Sequence, residues 1–231
     1  MIDAVLLDVG GVFVMPGHQL ILGVARAHGG GSADGCLDHA HYRGVAAGEN
    51  APGPFDWDAY RRAVLSAAGV PADRLAVASA DLATAMSEVA TKTWTQPLTG
   101  SAEGLKQLCA TGVPMAVVSN ADGTIAELLL QLGLCQLGVG PLAVMEAIVD
   151  SGVVGIEKPD PTIFTHALDA TGTDPARTVH VGDTLHADVV GATAAGLRPL
   201  HLDPVGWCTD EDHEHVPNLA AVAELVLAER S

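Results

Sequence analysis

The chain has 231 residues, of which 48% are hydrophobic and 17% are charged, and its formal net charge is −17. This length and apolar fraction suit one or two globular domains with a buried core, and they exclude intrinsic disorder as the main state. The acidic excess repels polyanions, and no cluster of Lys and Arg opposes it. We therefore exclude nucleic acid as a partner.

The apolar segments predict a buried core and neither a membrane span nor a signal peptide. The most apolar region, 128–149, is interrupted by polar residues and proline, so it falls short of the ~18 uninterrupted apolar residues of a transmembrane helix. The N-terminal segment MIDAVLLDVGG lacks a basic region. We expect a cytoplasmic protein with no membrane partner. Its cysteines follow no disulfide or zinc spacing and are predicted to be free thiols: Cys36, Cys109, Cys135 and Cys208.

Short apolar runs alternate with segments of helical length. The runs end at polar residues and are predicted strands, at 4–7, 113–118, 178–181 and 198–202. The predicted helices lie at 101–110, 124–134, 161–170 and 188–195. This alternation is typical of parallel βαβ units, in which ligands bind beyond the carboxyl ends of the strands. The sequence therefore predicts an α/β fold with a Rossmann-like parallel sheet.

The region 15–96 has a different pattern. It consists of Ala-rich segments of helical length, at 37–47, 57–68 and 75–91, separated by GGGSADG and NAPGPF. Since this region follows the first predicted strand, we predict a helical domain inserted at 15–96. Residues 1–14 and 97–231 then form the sheet domain.

Four motifs follow one another along the predicted sheet domain. They are AVLLDVGGV with Asp8, VVSNADG with Ser119, GIEKPDPTIF with Lys158, and VHVGDTLHADVVGATAAG with Asp183 and Asp188. Each motif alone is common in turns and helix caps. Together, in this order and strand context, they resemble the haloacid dehalogenase-like hydrolase superfamily. The resemblance covers 1–14 and 97–204, and the insertion resembles the helical cap of its subfamily I.

The resemblance implies a Mg²⁺-dependent phosphatase that acts on a small phosphorylated metabolite. It implies that Asp8 is the nucleophile and forms an aspartyl-phosphate. The implied metal-site residues are Asp8, the carbonyl of Gly10, and Asp183, with Asp188 acting behind them or through water.

The resemblance also assigns the groups that bind the phosphoryl oxygens. The Ser119 hydroxyl and the backbone amide of Asn120 are the implied donors. Lys158 is implied to neutralise the charge shared by the nucleophile and the phosphate. All three would act electrostatically, by stabilising negative charge during phosphoryl transfer.

The sequence departs from this family at Gly10. Phosphatases of the superfamily carry a second Asp at this position, which protonates the leaving oxygen and then deprotonates the attacking water. Glycine keeps the carbonyl but lacks the acid, a loss worth typically ~10² to 10⁴ in rate.

Several outcomes stay open. The protein is a phosphatase for substrates with weakly basic leaving groups, or another side chain replaces the acid, or it is a phospho-ligand binding or regulatory protein with little turnover. The candidate replacements are His18, His39, His41 and Arg43. A 2-haloacid dehalogenase is a further alternative, but those enzymes typically lose the acid that matches Asp183. The substrate and the oligomeric state do not follow from the sequence.

One further segment, CTDEDHEH at 208–215, offers Cys, Asp and His side chains. Its spacing matches no zinc signature and its flank is acidic. We interpret it as a solvent-exposed loop.

Overall fold

The computed structural model describes residues 1–31, 37–49, 55–89 and 93–230. It divides the chain into two compact units. The sheet unit comprises Met1–Phe13, Pro97–Asp203 and Asp210–Ser231, and the helical unit comprises Val14–Gln96 and Pro204–Thr209. Cys36 and the end of the predicted helix at 75–91 lie outside the described residues.

The described residues form the following strands and helices. The strands are β1 (Ala4–Leu7), β2 (Val14–Pro16), β3 (Trp94–Pro97), β4 (Met115–Ser119), β5 (Cys135–Leu137), β6 (Ala143–Met145), β7 (Ala147–Asp150), β8 (Thr178–Gly182), β9 (Arg198–Leu202) and β10 (Glu214–Val216). The helices are α1 (His18–Ala27), α2 (Leu37–Glu49), α3 (Trp57–Ala67), α4 (Leu75–Val89), α5 (Ser101–Ala110), α6 (Ile125–Gln131), α7 (Ser151–Val154), α8 (Thr162–Thr171), α9 (Gly191–Ala194) and α10 (Leu219–Arg230).

The sheet unit is built on a parallel sheet. Within the described residues six strands pair in the order β10-β9-β8-β1-β4-β7, and all of these pairings are parallel. Every residue of β1, β4 and β8 is buried, as expected of strands covered on both faces by helices. The predicted α/β fold with a parallel sheet is confirmed.

Some strands and helices begin and end at the predicted residues, and others begin or end elsewhere. Strands β1 and β9 and helix α5 have the predicted bounds. The helix predicted at 188–195 begins earlier, as a π-helical turn at Leu185–Val190 that continues into α9. Strands β5, β6, β7 and β10 were not predicted. Each has only three or four residues, and β10 also has two exposed residues and little apolar signal.

The helical unit has its own apolar core. Helices α2 and α3 approach closely at Gly44, where a Cβ atom would lie 2.7 Å from a ring carbon of Tyr60 and 2.9 Å from Val64. Tyr60 and Val64 are buried there with Ile21 of α1 and Leu82 of α4. Helix α1 and the β2-β3 ribbon were absent from the prediction. Among the residues that the structure describes, none of the helices has the length and apolarity needed to cross a membrane.

The side chains suggested as replacements for the missing acid belong to the helical unit. His18 Nε2 lies 3.3 Å from an oxygen of Asp38. His41 is buried and its Nδ1 is 2.9 Å from the hydroxyl of Tyr60, which places it in the core of this unit. The remaining two, His39 and Arg43, are exposed.

The carboxylate of Asp150, buried at the end of β7, joins two helix starts. One oxygen accepts hydrogen bonds from the amides of Gly123 and Gly152, both at 2.9 Å, and the other accepts from Ile125 N at 3.2 Å. The Asp150→Ala substitution removes the acceptor of all three donors, so we expect the free energy of unfolding to fall by about 1–2 kcal/mol. Urea unfolding measures this change. The exposed Asp169→Ala is the control, and equal stability of the two variants would contradict the prediction.

Candidate active site

The carboxyl edge of the sheet gathers the predicted catalytic residues. Asp8 follows β1, Ser119 ends β4 and Asp183 follows β8. Since β1 lies between β4 and β8, the three side chains start from adjacent strand ends. Carboxylate oxygens of Asp8, Asp183 and Asp188 lie within 4.8 Å of one another, and all three residues are buried. Ser119 is 3% exposed at the same edge.

Lys158 enters this cluster from the loop before α8. Its Nζ lies 2.8 Å from Asp8 Oδ1 and 2.6 Å from Asp188 Oδ1, and its side chain is 2% exposed. Two hydrogen bonds fix the backbone of the lysine, because Asn120 Nδ2 donates to Lys158 O at 2.9 Å and Lys158 N donates to Asn120 Oδ1 at 2.7 Å. The side chain of Asn120 thus positions the lysine, in addition to the backbone role predicted for this residue.

Asp188 accepts protein donors on both of its oxygens. Oδ1 accepts from Lys158 Nζ and lies 2.9 Å from His180 Nε2. Oδ2 accepts from the backbone N of Thr184 at 3.1 Å and from its hydroxyl at 2.6 Å. Sequence reasoning missed His180 and Thr184. His180 occupies an ordinary position in a buried strand, and only the fold brings its ring to Asp188.

The charges in the cluster do not balance without a cation. Asp8, Asp183 and Asp188 against one Lys158 leave a net of two negative charges when all four are ionised. Burial raises the pKa of Asp8 to about 6, a shift that Lys158 opposes and that Asp188 and Asp183 reinforce. Burial also raises the pKa of Asp188, but Lys158 and His180 outweigh it and hold that pKa below its usual range. Burial lowers the pKa of His180.

Two glycines let the backbone approach these carboxylates. Gly11 has a φ of +64°, and a Cβ atom there would lie 2.0 Å from Asp183 Oδ2. A Cβ on Gly182 would lie 2.1 Å from Asp188 Cγ. Both positions exclude any side chain unless the carboxylate moves. Gly10, the predicted carbonyl ligand, precedes Gly11 in the same turn.

The donor set fits a hard divalent cation. Mg²⁺ prefers carboxylate and carbonyl oxygens and retains several waters. Asp8 and Asp183 supply carboxylates at the sheet edge, and the excess negative charge favours a dication there. The residues present therefore fit Mg²⁺.

Comparisons with known proteins place the chain among hydrolases. Residues 2–196 match the haloacid dehalogenase-like hydrolase family. Phosphoserine phosphatase of Thermus thermophilus is 32% identical over 180 residues, which are 77% of this chain and 66% of that enzyme. The mouse haloacid dehalogenase-like hydrolase domain-containing protein 3 is 37% identical over 106 residues, which are 46% of this chain and 39% of the mouse protein. The chain spans half or less of the length of the mammalian relatives that it matches.

The fold is shared with solved structures. A superfamily hydrolase from Ehrlichia chaffeensis superposes with a TM-score of 0.61 over the full length of both chains, at 16% identity. The match over residues 2–196 includes all four motifs, so the resemblance predicted from the sequence is confirmed. The chain belongs to the haloacid dehalogenase-like hydrolase family.

Proposed function

We propose that this protein is a Mg²⁺-dependent phosphatase that hydrolyses a small phosphorylated metabolite through an aspartyl-phosphate on Asp8. The observation that carries the proposal is the buried carboxylate of Asp8, with Lys158 Nζ 2.8 Å from its Oδ1, at the carboxyl edge of a parallel sheet. This is the edge where ligands of such sheets bind. The similarity to a phosphoserine phosphatase supports the same class of reaction.

The reaction has two steps. A carboxylate oxygen of Asp8 attacks the phosphorus, an oxygen–phosphorus bond forms, and the bond from phosphorus to the leaving oxygen breaks. Water then attacks the aspartyl-phosphate, which releases inorganic phosphate and restores Asp8. Lys158, the hydroxyl of Ser119 and the amide of Asn120 stabilise the negative charge on the phosphoryl oxygens in both steps.

Asp8, the carbonyl of Gly10, and Asp183 would hold the Mg²⁺ ion. When bound, Mg²⁺ supplies positive charge that attracts and orients the phosphate group. Asp188 has a different task in this proposal. Because its oxygens accept from Lys158, His180 and Thr184, it holds the ammonium group of Lys158 toward Asp8.

We assign the inserted region 15–96 to a cap that closes over bound substrate and excludes water, as lids do in many enzymes. The predicted partner is a small phosphorylated molecule, and the predicted location is the cytoplasm.

Gly10 sets the substrate preference in this proposal. Without a carboxyl at this position, the leaving oxygen departs without proton transfer from the protein, so weakly basic leaving groups are favoured. We expect the Gly10→Asp substitution to raise kcat for an alkyl phosphate at least about tenfold, a part of the ~10² to 10⁴ that a positioned acid contributes. Steady-state phosphate release measures this gain. No gain in a folded variant that binds Mg²⁺ would contradict it.

The test of the function is phosphate release from acyl, aryl and sugar phosphates with and without Mg²⁺. Release that requires Mg²⁺ supports the phosphatase. Saturable binding of the same compounds without release would favour a phospho-ligand binding protein. Halide release from a 2-haloacid without Mg²⁺ would favour a dehalogenase.

A further inference from the structure

Three histidines meet at the edge of the sheet unit, outside the cluster around Asp8. His201 lies in β9, His215 in β10, and His213 directly before β10. The parallel pairing of these strands sets His201 opposite His215, so their side chains leave the same face of the sheet. The segment 208–215 is therefore more than the solvent-exposed loop expected from its sequence. Its histidines meet a third one, His201, from a neighbouring strand.

The ring nitrogens of these histidines point toward one another. His201 Nδ1 lies 3.1 Å from His213 Nε2, and His215 Nε2 lies 2.9 Å from the same nitrogen. In a tetrahedral zinc site with Zn–N bonds of about 2.0–2.1 Å, neighbouring nitrogens are about 3.3 Å apart. The observed separations are close to this value.

The outer hydrogen bonds of two rings direct their lone pairs inward. His201 Nε2 lies 3.1 Å from the carbonyl oxygen of Asp183, which can only accept, so this nitrogen carries the proton. His213 Nδ1 lies 2.8 Å from a carboxylate oxygen of Asp212 and carries the proton for the same reason. His201 Nδ1 and His213 Nε2 then face each other with unprotonated nitrogens. Two lone pairs at 3.1 Å repel each other unless a proton or a metal cation lies between them.

These hydrogen bonds are also the ones that orient metal-binding histidines, which donate their second N–H to a carboxylate or a backbone carbonyl. Two of the three histidine side chains are buried, and the third is open to the solvent. His201 is 5% exposed, the side chain of His213 is 3% exposed, and His215 is exposed to solvent. Two ligands are thus held rigidly by the fold, while the third faces the solvent from which an ion would arrive.

We propose that His201, His213 and His215 form a binding site for a transition-metal ion of the zinc class. Imidazole nitrogens select Zn²⁺ and similar ions, whereas carboxylate sites such as that around Asp8 select Mg²⁺. Three imidazole nitrogens supply the number of protein ligands that zinc sites use at the least. The contact from His201 to the carbonyl of Asp183 joins this site to the backbone of a residue in the Mg²⁺ cluster.

The test is calorimetric titration of the full chain with Zn²⁺ in the presence of excess Mg²⁺, which occupies the carboxylates. We expect one equivalent of Zn²⁺ to bind to the unmodified protein. We expect His213→Asn and His215→Gln to weaken that binding at least about tenfold. The exposed His166→Gln in α8 removes a histidine elsewhere and should leave the affinity unchanged.

Two further measurements make the outcome decisive. Circular dichroism establishes that each variant is folded, and His215, being exposed, is the substitution least disturbing to the fold. Co²⁺ bound in place of Zn²⁺ should give the strong visible absorption of a tetrahedral nitrogen-ligated ion in the unmodified protein and in His166→Gln only. The proposal is overturned if the unmodified protein binds no Zn²⁺, or if both variants bind it with unchanged affinity.

Discussion

Replacing Asp8 with asparagine should reduce Mg²⁺-dependent phosphate release at least about 10³-fold, because the amide oxygen is a poor nucleophile and the covalent route is lost. The substitution keeps the shape of the side chain and removes its charge. Since burial already raises the pKa of Asp8 to about 6, a neutral group at this position is compatible with folding. The loss should therefore appear in kcat without loss of structure by circular dichroism.

The matched control is Asp169→Asn, which changes an exposed carboxylate in α8. It should retain full activity. Trapping experiments add a second readout: acid-quenched protein incubated with a ³²P-labelled substrate should carry label in the unmodified chain and not in Asp8→Asn. Equal phosphate release from the unmodified chain and Asp8→Asn would show that Asp8 is not the nucleophile.

The Lys158→Met substitution should lower both activity and stability. Methionine keeps most of the volume of the lysine but leaves the buried carboxylates of Asp8 and Asp188 without their common counter-charge. Breaking a buried ion pair from one side typically costs about 3–5 kcal/mol. Phosphate release should fall about 10²- to 10³-fold, as when one charge-stabilising donor is removed from an active site.

The stability loss should depend on pH in a defined direction. Burial raises the pKa of Asp8 to about 6 against the opposing charge of Lys158. Without Lys158 this pKa rises further above its value in the unfolded chain, so the folded variant binds more protons than the unfolded one. The free energy of unfolding of the variant then decreases as the pH rises from about 5 to about 8. The deficit relative to the unmodified protein should therefore be larger at about pH 8 than at about pH 5.

Urea unfolding at the two pH values measures this dependence. Lys106→Met is the control, since the side chain of Lys106 is 76% exposed in α5, and it should change stability little at either pH. An equal deficit for Lys158→Met at both pH values would mean that the lysine stabilises through packing and not through its charge.

The elements predicted accurately from the sequence are those whose own residues determine them. Strand β1 is a run of four apolar residues that ends at Asp8 and two glycines, and the structure reproduces its bounds. Strand β10 was missed because Glu214 and His215 give it no apolar pattern. It forms because β9 offers it a pairing edge. Helix α1 was missed although its sequence, HQLILGVARA, has apolar residues at helical spacing.

In the candidate site, too, some features could be predicted from the sequence and others could not. The resemblance of the four motifs implied Asp8, Lys158, Asp183 and Asp188 as site residues, and the structure brings these residues together. The contacts that orient them depend on tertiary structure. His180 lies in β8 and Asp188 in the helical turn that follows, and no sequence pattern predicts the contact between their side chains.

In the proposed reaction, Asp8 accepts the phosphoryl group although position 10 offers no carboxyl. The most direct measurement is kcat/KM for Mg²⁺-dependent phosphate release from a series of aryl and alkyl phosphates that differ in the pKa of the leaving group. We predict a steep decrease as that pKa rises, and a shallower one in Gly10→Asp. A shallow dependence in the unmodified protein would rule out this mechanism, because it would mean that another group already protonates the leaving oxygen.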